Sequence, residues 1–328
     1  MKIAIVGATG LVGRNIIKQS ERLLPHDVEF HLFASSKSAG EILTVNNQDL
    51  TIKELSSENI EKYDIALFSA GGERSKTYAE NFISQGSYVI DNSSVFRLQE
   101  EVPLVVYGIN QSEITSNTKL IANPNCTTMG LVMALKPLHD KFDLVSMTPV
   151  AYQAVSGSGT AALSSLSKEE SLDDKSLAEL KDGYYTRPIA RNVIPLAGNL
   201  LDNGYSDEEM KFVHESKKIL GIPELVVEPS NARVGVRTGH GVFCSAVFEK
   251  NINTDEAIDE LNNFEGVQYW SETLATPLDA ENNYDVLVSR LRIGLSSPKI
   301  INFWCVSDNL LKGAALNAVQ IAKYLIQK

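Results

Sequence analysis

Cys126 is the residue with the clearest chemical potential. It lies in the run Asn123-Pro124-Asn125-Cys126-Thr127-Thr128, ahead of an apolar stretch from Met129 to Leu138. Pro124 fixes its own φ and drives Asn123 into an extended conformation. Asn125 is a good N-cap type, and the threonines suit a first helical turn. A cysteine at a helix N-terminus meets unpaired N–H groups and the positive end of the dipole, which favour the thiolate. That pattern points to a catalytic nucleophile, against the plainer reading of a buried structural cysteine.

A second concentration runs from Arg233 through Arg237 to Gly239-His240-Gly241. A histidine between two glycines is expected to be uncrowded and presented to its neighbours, and the nearby arginines suggest an anion site. Histidine is also the side chain best suited to acid/base work near neutral pH. His26, His31, His139 and His214 lack such a setting. Arg97, past the end of an expected strand, could fork onto an anion or simply sit at the surface. Glu208 and Lys211 stand three apart, and spacing alone reads them as an ordinary helix-surface ion pair.

These residues need elements to position them. Lys2 to Val6 has a buried-strand pattern and is followed by Gly7-Ala8-Thr9-Gly10-Leu11-Val12-Gly13 and a helical run from Arg14 to Leu24. Strand, glycine turn and helix together form the dinucleotide fingerprint. Gly7 and Gly10 permit close backbone approach to a pyrophosphate, and Gly13 permits close helix–strand packing. The strand Glu29 to Ala34 leads into Ser35-Ser36-Lys37-Ser38, where a site selective for NAD has an acidic residue. Hydroxyls and a cation suit a 2′-phosphate instead, so the expected cofactor is NADP. Further strands are expected at Tyr63 to Ser69, Tyr88 to Asp91 and Leu120 to Ala122, with a helix from Ser75 to Gln85. This alternation predicts a doubly wound, Rossmann-type parallel sheet.

Beyond Leu138 the texture changes. A strand is expected from Val145 to Val155, entering the small-residue run Ser156-Gly157-Ser158-Gly159, and a charged helical segment from Lys168 to Lys181. Ser206 and Glu209 form a capping box for a helix stopped by Gly221 and Pro223. Strand patterns at Val242 to Glu249, Tyr284 to Ile293 and Ile300 to Val306 imply a second, α+β domain. Asn309 to Ile326 reads as one amphipathic helix. Cys244 and Cys305 fall in apolar strand patterns and are assigned to core.

Composition narrows the function. The chain has 328 residues, enough for about two domains. A net charge of −11 argues against nucleic-acid or membrane-surface binding. No run approaches the roughly 18 apolar residues of a membrane span. Three scattered cysteines suggest neither a disulfide framework nor a metal site, and a reduced, cytoplasmic setting is expected.

In combination the motifs resemble the aspartate-semialdehyde dehydrogenase family over essentially the whole chain. The carrying blocks are GATGLVG at 7–13, SSVFR at 93–97, NPNCTT at 123–128, YQAVSGSG at 152–159, NVIP at 192–195, DEEMK at 207–211 and RVGVRTGH at 233–240. The resemblance implies Cys126 as nucleophile and His240 as acid/base. It implies that Gln153, Arg233 and Glu208 bind substrate and that Arg97 and Lys211 bind phosphate. Gly7, Thr9, Gly10, Leu11, Val12, Lys37, Ser38, Ser156, Gly157 and Asn309 would line the NADP site. It further implies an NADP-binding domain of 1–125 plus 306–328, a catalytic and dimerisation domain of 126–305, and a homodimer or dimer of dimers. The small-molecule partners would be aspartyl phosphate, aspartate semialdehyde and inorganic phosphate. Three positions depart from the family pattern. Gly235 stands where proline is usual, Gly241 where serine is usual, and Lys37 where arginine is usual. The two glycines are expected to loosen the loop carrying His240, and Lys37 keeps the charge without the bidentate fork.

Two rivals remain. N-acetyl-γ-glutamyl-phosphate reductase shares the chemistry, but its cysteine is typically flanked by glycine and tyrosine, whereas Asn125 and Thr127 stand here. A non-catalytic NADP-binding sensor would not need Cys126, His240 and the anion-binding residues together.

Overall fold

The apolar run Lys2–Val6 forms β1, the centre of a parallel sheet buried on both faces, as its near-continuous hydrophobic sequence requires. A computed structural model describes all 328 residues, Met1–Lys328, and resolves them into two compact units, Met1–Asn125 with Ala314–Lys328, and Cys126–Gly313.

In the first unit, β1 is followed by α1 (Leu11–Leu23), β2 (Glu29–Ala34), a small hairpin of β3 (Ile42–Val45) and β4 (Gln48–Thr51), β5 (Lys53–Glu54), β6 (Ile65–Phe68), α2 (Gly72–Ser84), β7 (Tyr88–Asp91) and β8 (Leu120–Ala122). The six-stranded sheet has the order β5-β2-β1-β6-β7-β8, parallel throughout, so each crossover runs over a sheet face. The C-terminal helix Leu316–Gln327 packs in this unit, its Ala318, Val319, Ile321 and Ala322 joining the core of β1, β2 and α1.

The second unit opens with α3 (Cys126–Phe142) and continues through β9 (Leu144–Gln153), α4 (Thr160–Glu170), α5 (Asp174–Glu179), β10 (Val193–Ile194), α6 (Asp207–Leu220), β11 (Val226–Val227), β12 (Ser230–Val234), β13 (His240–Phe248), α7 (Thr254–Asn263), β14 (Val267–Trp270), β15 (Val286–Ile293) and β16 (Ile300–Ser307). Its mixed sheet runs β10-β12-β9-β13-β16-β15-β14, with β11 also paired to β9. Alternate residues of β13 are buried on one face, and the opposite residues are half exposed, as a strand covered on one side should be.

Several sequence expectations change. Helices α1 and α2 begin at Leu11 and Gly72, before the Arg14 and Ser75 read from the sequence, because the glycine turns close directly into helix. The 168–181 segment is broken. Helix α4 ends at Glu170, and Asp173 caps a separate α5 by accepting the Ser176 N–H. The single C-terminal helix becomes a π-helical turn, Leu311–Ala315, followed by α-helix from Leu316. The capping box at Ser206 forms in full, and Gly221 ends α6 in the left-handed region.

Candidate active site

The first unit presents an open cleft of about 200 Å³ at the carboxyl ends of β1, β2 and β6, lined by Gly7, Thr9, Gly10, Ala34, Ser35, Leu55, Ser69, Ala70 and Arg74. This is where open parallel sheets bind ligands. The glycine turn is tightly made. Gly7 has φ +91°, and a Cβ there would lie 2.4 Å from the Ser69 carbonyl oxygen, so only glycine fits. A Cβ on Gly13 would lie 2.0 Å from the Gly7 carbonyl oxygen. Among the residues expected around the dinucleotide, Gly7, Thr9 and Gly10 line the cleft, while Leu11, Val12, Lys37 and Ser38 do not. Lys37 is exposed on the turn beyond Ser35. Arg74, which sequence reasoning passed over, lines it.

In the same unit the turn before Cys126 is heavily restrained. Arg97 is buried and donates through Nε to the Asn123 carbonyl at 2.9 Å and through Nη2 to the Asn92 carbonyl at 2.8 Å. The Asn123 side chain donates to Asn92 Oδ1 and accepts from Asn317 Nδ2. Asn317 also donates to the Val105 carbonyl and accepts from the Tyr107 N–H. Nothing in the local sequence marks Asn317, because its partners are far away along the chain.

In the second unit, strand register assembles a row of side chains. Arg233 on β12 is the ladder neighbour of Gln153 on β9. His240 on β13 follows one step on from the Gly241–Tyr152 pair, beside Gln153, and is paired with Ser307 on β16. Ladder neighbours share a face. Gln153, Arg233 and His240 are therefore on one side of the sheet, buried to 2%, 5% and 2% exposure. Helix α3 covers that face. A Cβ on Gly130 would lie 2.6 Å from Ser307 Oγ, so the helix backbone rests on the end of the row. Cys126 is one helical turn earlier, half buried, and opens the helix. Cys126 thus opens the helix that covers the sheet face carrying the imidazole. Gly313 packs against Cys126, since a Cβ there would lie 2.7 Å from the cysteine Cβ.

The peptide unit of Ala154 orients two of these side chains. Its N–H donates to His240 Nδ1 at 2.9 Å, and its carbonyl accepts from Arg233 Nη1 at 2.7 Å. With Nδ1 an acceptor, the single proton of neutral imidazole sits on Nε2. His240 Nε2 and Arg233 Nε are both buried and make no hydrogen bond within the chain, so their hydrogen-bonding capacity is unused there. Burial, reinforced by the Arg233 charge, holds the His240 pKa well below the ordinary imidazole value. A second proton would also cost the Ala154 hydrogen bond. In this tautomer the ring's one N–H is at Nε2, on the side that Gly157 covers.

Glu208 and Lys211, on the first turns of α6, form an ion pair, and Glu208 accepts from Gln153 Nε2 at 3.4 Å. The half-buried pair is thus tied to the end of the row through Gln153 rather than standing free on the surface. Gly157 lies against His240 and Arg233, where a Cβ would come within 3.0 Å of His240 Nε2 and 3.3 Å of Arg233 Nη1. Asn309 is buried and commits its amide to Ser156 Oγ and the Gly239 N–H, locking the 155–158 turn to the residue before His240. The expectation of a loosened histidine loop is overturned. His240 and Gly241 are inside β13, and the Trp304 ring covers Gly241 so closely that a Cβ would lie 2.1 Å from it. Gly235 is similarly closed by the Ile189 carbonyl, 2.6 Å from where its Cβ would be.

Comparison with known proteins places the chain in a family. Residues 2–117 match the family model "Semialdehyde dehydrogenase, NAD binding domain", and 135–312 match "Semialdehyde dehydrogenase, dimerisation domain". The aspartate-semialdehyde dehydrogenase of Corynebacterium glutamicum is 42% identical over 346 residues, covering 99% of each chain. The chain belongs to the aspartate-semialdehyde dehydrogenase family. Aspartate semialdehyde dehydrogenase II of Vibrio cholerae, solved in complex with ASA, is 36% identical with a TM-score of 0.92, covering 100% of this chain and 98% of that one. A Candida albicans aspartate semialdehyde dehydrogenase solved with NADP is 25% identical with a TM-score of 0.78, covering 99% and 98%. As in these dehydrogenases, a nicotinamide-nucleotide domain is joined to a mixed-sheet domain.

Proposed function

We propose that this enzyme catalyses the NADPH-dependent reductive dephosphorylation of L-4-aspartyl phosphate to L-aspartate 4-semialdehyde and phosphate, a step in the biosynthesis of lysine, threonine, methionine and isoleucine. The observation that carries the reading is the buried Arg233–Gln153–His240 row facing the helix that Cys126 opens, with two unpartnered polar atoms in it. Cys126 as thiolate attacks the acyl carbon; a C–S bond forms, the C–O bond to phosphate breaks, and a thioester remains. The Gly7–Gly10 turn would hold a reduced dinucleotide, which when bound would supply hydride to this thioester. Reduction leaves a thiohemiacetal oxyanion, which the Nε2–H of His240 stabilises. Its collapse expels the cysteine thiolate and frees the aldehyde. In the reverse direction His240 has the acid/base duty of moving the proton as cysteine adds to aldehyde.

Arg233 presents a planar fork for the α-carboxylate, Gln153 supplies an amide, and Glu208 faces the substrate amine. Lys211 receives phosphate; Arg97, given the same role by the family resemblance, has Nε and Nη2 committed to the Asn123 and Asn92 carbonyls. The lack of a carboxylate among the cleft-lining residues supports NADP over NAD. The half-exposed aromatic group Tyr152, Phe243 and Trp304, on the sheet face away from α3, supports assembly as a homodimer through this sheet. No helix is long and apolar enough to cross a membrane, and the three cysteines are unbridged, in keeping with a cytoplasmic enzyme.

The direct test is phosphate-dependent formation of NADPH from aspartate semialdehyde. The expected result is turnover requiring phosphate, lost in Cys126→Ala with dinucleotide binding retained. Turnover only with N-acetylglutamate semialdehyde would assign the chain to the neighbouring reductase instead.

A further inference from the structure

The cleft of the first unit contains a charge that the sequence reading did not assign. Arg74 is the only charged residue among those lining it, and it stands on the first turn of α2. Its side chain is exposed, and Nη1 donates to the Ala70 carbonyl at 3.2 Å, which holds the guanidinium over the β6–α2 loop. Nε and Nη2 make no bond within the chain. Ser35, at the end of β2, lines the same cleft. The end of β2 is where the adenosine ribose of a bound dinucleotide sits, and a nearby arginine is the group that accommodates a 2′-phosphate there. Lys37, the cation suggested by the sequence, is exposed outside this lining.

We propose that Arg74, with Ser35, is the specificity-determining reader of the cofactor's 2′-phosphate, and that Lys37 contributes little. The inference rests on the cleft being the dinucleotide site. Guanidinium forks match phosphate oxygens in a way a point charge does not, so this chain keeps bidentate recognition although its β2 loop has a lysine. The chemistry assigned to Arg74 is phosphate-directed, which separates it from simple stacking on adenine.

Calorimetric titration with 2′,5′-ADP and 5′-AMP distinguishes the possibilities without turnover. The variants are Arg74→Gln, Arg74→Lys and Lys37→Ala. Arg74→Gln is expected to weaken 2′,5′-ADP about ten- to a hundredfold, the scale of hydrogen bonds to a charged group, and to leave 5′-AMP within about twofold. Arg74→Lys should recover part of the loss, and Lys37→Ala should change 2′,5′-ADP by less than about threefold. KM for NADP should rise in Arg74→Gln while that for NAD stays constant. Equal weakening of both nucleotides would overturn the proposal in favour of adenine stacking. Unchanged 2′,5′-ADP affinity in Arg74→Gln would overturn it outright. If the wild type bound neither nucleotide, the dinucleotide reading of the cleft would fail as well.

Discussion

The imidazole of His240 receives the Ala154 N–H on Nδ1 and keeps its own proton on Nε2, so its tautomer is set by a backbone group whose carbonyl is held in turn by Arg233. Its lowered pKa has a stability consequence. A base whose folded pKa is depressed adds nothing above the unfolded value near 6.5; below it the unfolded chain takes the proton first, so stability falls as pH drops. His139 is also lowered by burial and acts in the same window, so the variant comparison isolates His240. Urea midpoints measured from pH 7.5 to 5.5 should decline less steeply in His240→Asn than in wild type. A parallel decline would mean the ring titrates normally. The thiols divide in the same way. Burial pushes Cys305 up to about 12 and Cys244 well above its ordinary value, while Cys126 opens a helix at a half-buried position. Iodoacetamide at neutral pH should therefore label one cysteine in the native protein and three after denaturation, with the native adduct mapping to Cys126.

At the scale of elements, the histidine strand is held by packing that forbids larger neighbours. Residue 241 must lie under the Trp304 ring, and residue 235 against the Ile189 carbonyl. Gly241→Ser is expected to destabilise the protein by about 1–3 kcal/mol, the scale of overpacking. Pairing it with Trp304→Leu should return most of that loss in a double-mutant cycle, since the two sites share one contact. Additive losses would show that the strain lies in the backbone and not against the ring. The capping box at Ser206 and the left-handed Gly221 were legible in sequence because helix ends are satisfied by residues a turn away. The break at 171–173 and the π-helical turn at 311–315 were not, since a continuous helical pattern conceals where tertiary packing interrupts it.

For the molecule as a whole, the homodimer proposed above would use the aromatic face of the mixed sheet. Phe243 and Trp304 have ring centroids 4.7 Å apart, and Tyr152 lies 5.9 Å from Trp304, an aromatic patch left half exposed on a single chain. Phe243→Asp should lower the mass seen by light scattering to that of one chain, with the far-UV circular dichroism retained. An unchanged mass would move the subunit contact elsewhere. The net charge of −11 makes local placement of cations necessary for the anionic substrate proposed above; Arg233 is buried in β12, and Lys211 is half buried on α6.

What the sequence by itself determined was everything set by near neighbours: the β1–glycine-turn–α1 unit, the alternation that makes a parallel sheet, and a cysteine placed at a helix start by Asn123-Pro124-Asn125. What only the tertiary structure decided was which distant residues share a face. Arg233, Gln153, His240 and Ser307 form a row because four strands pair in one register, and a slip of one residue would turn each side chain to the opposite face. The tautomer of His240, the grip of Asn317 on Asn123 and the presence of Arg74 on the cleft have the same origin. Each depends on hydrogen bonds or packing between segments far apart in the chain, and such partners leave no pattern in the local run of residues.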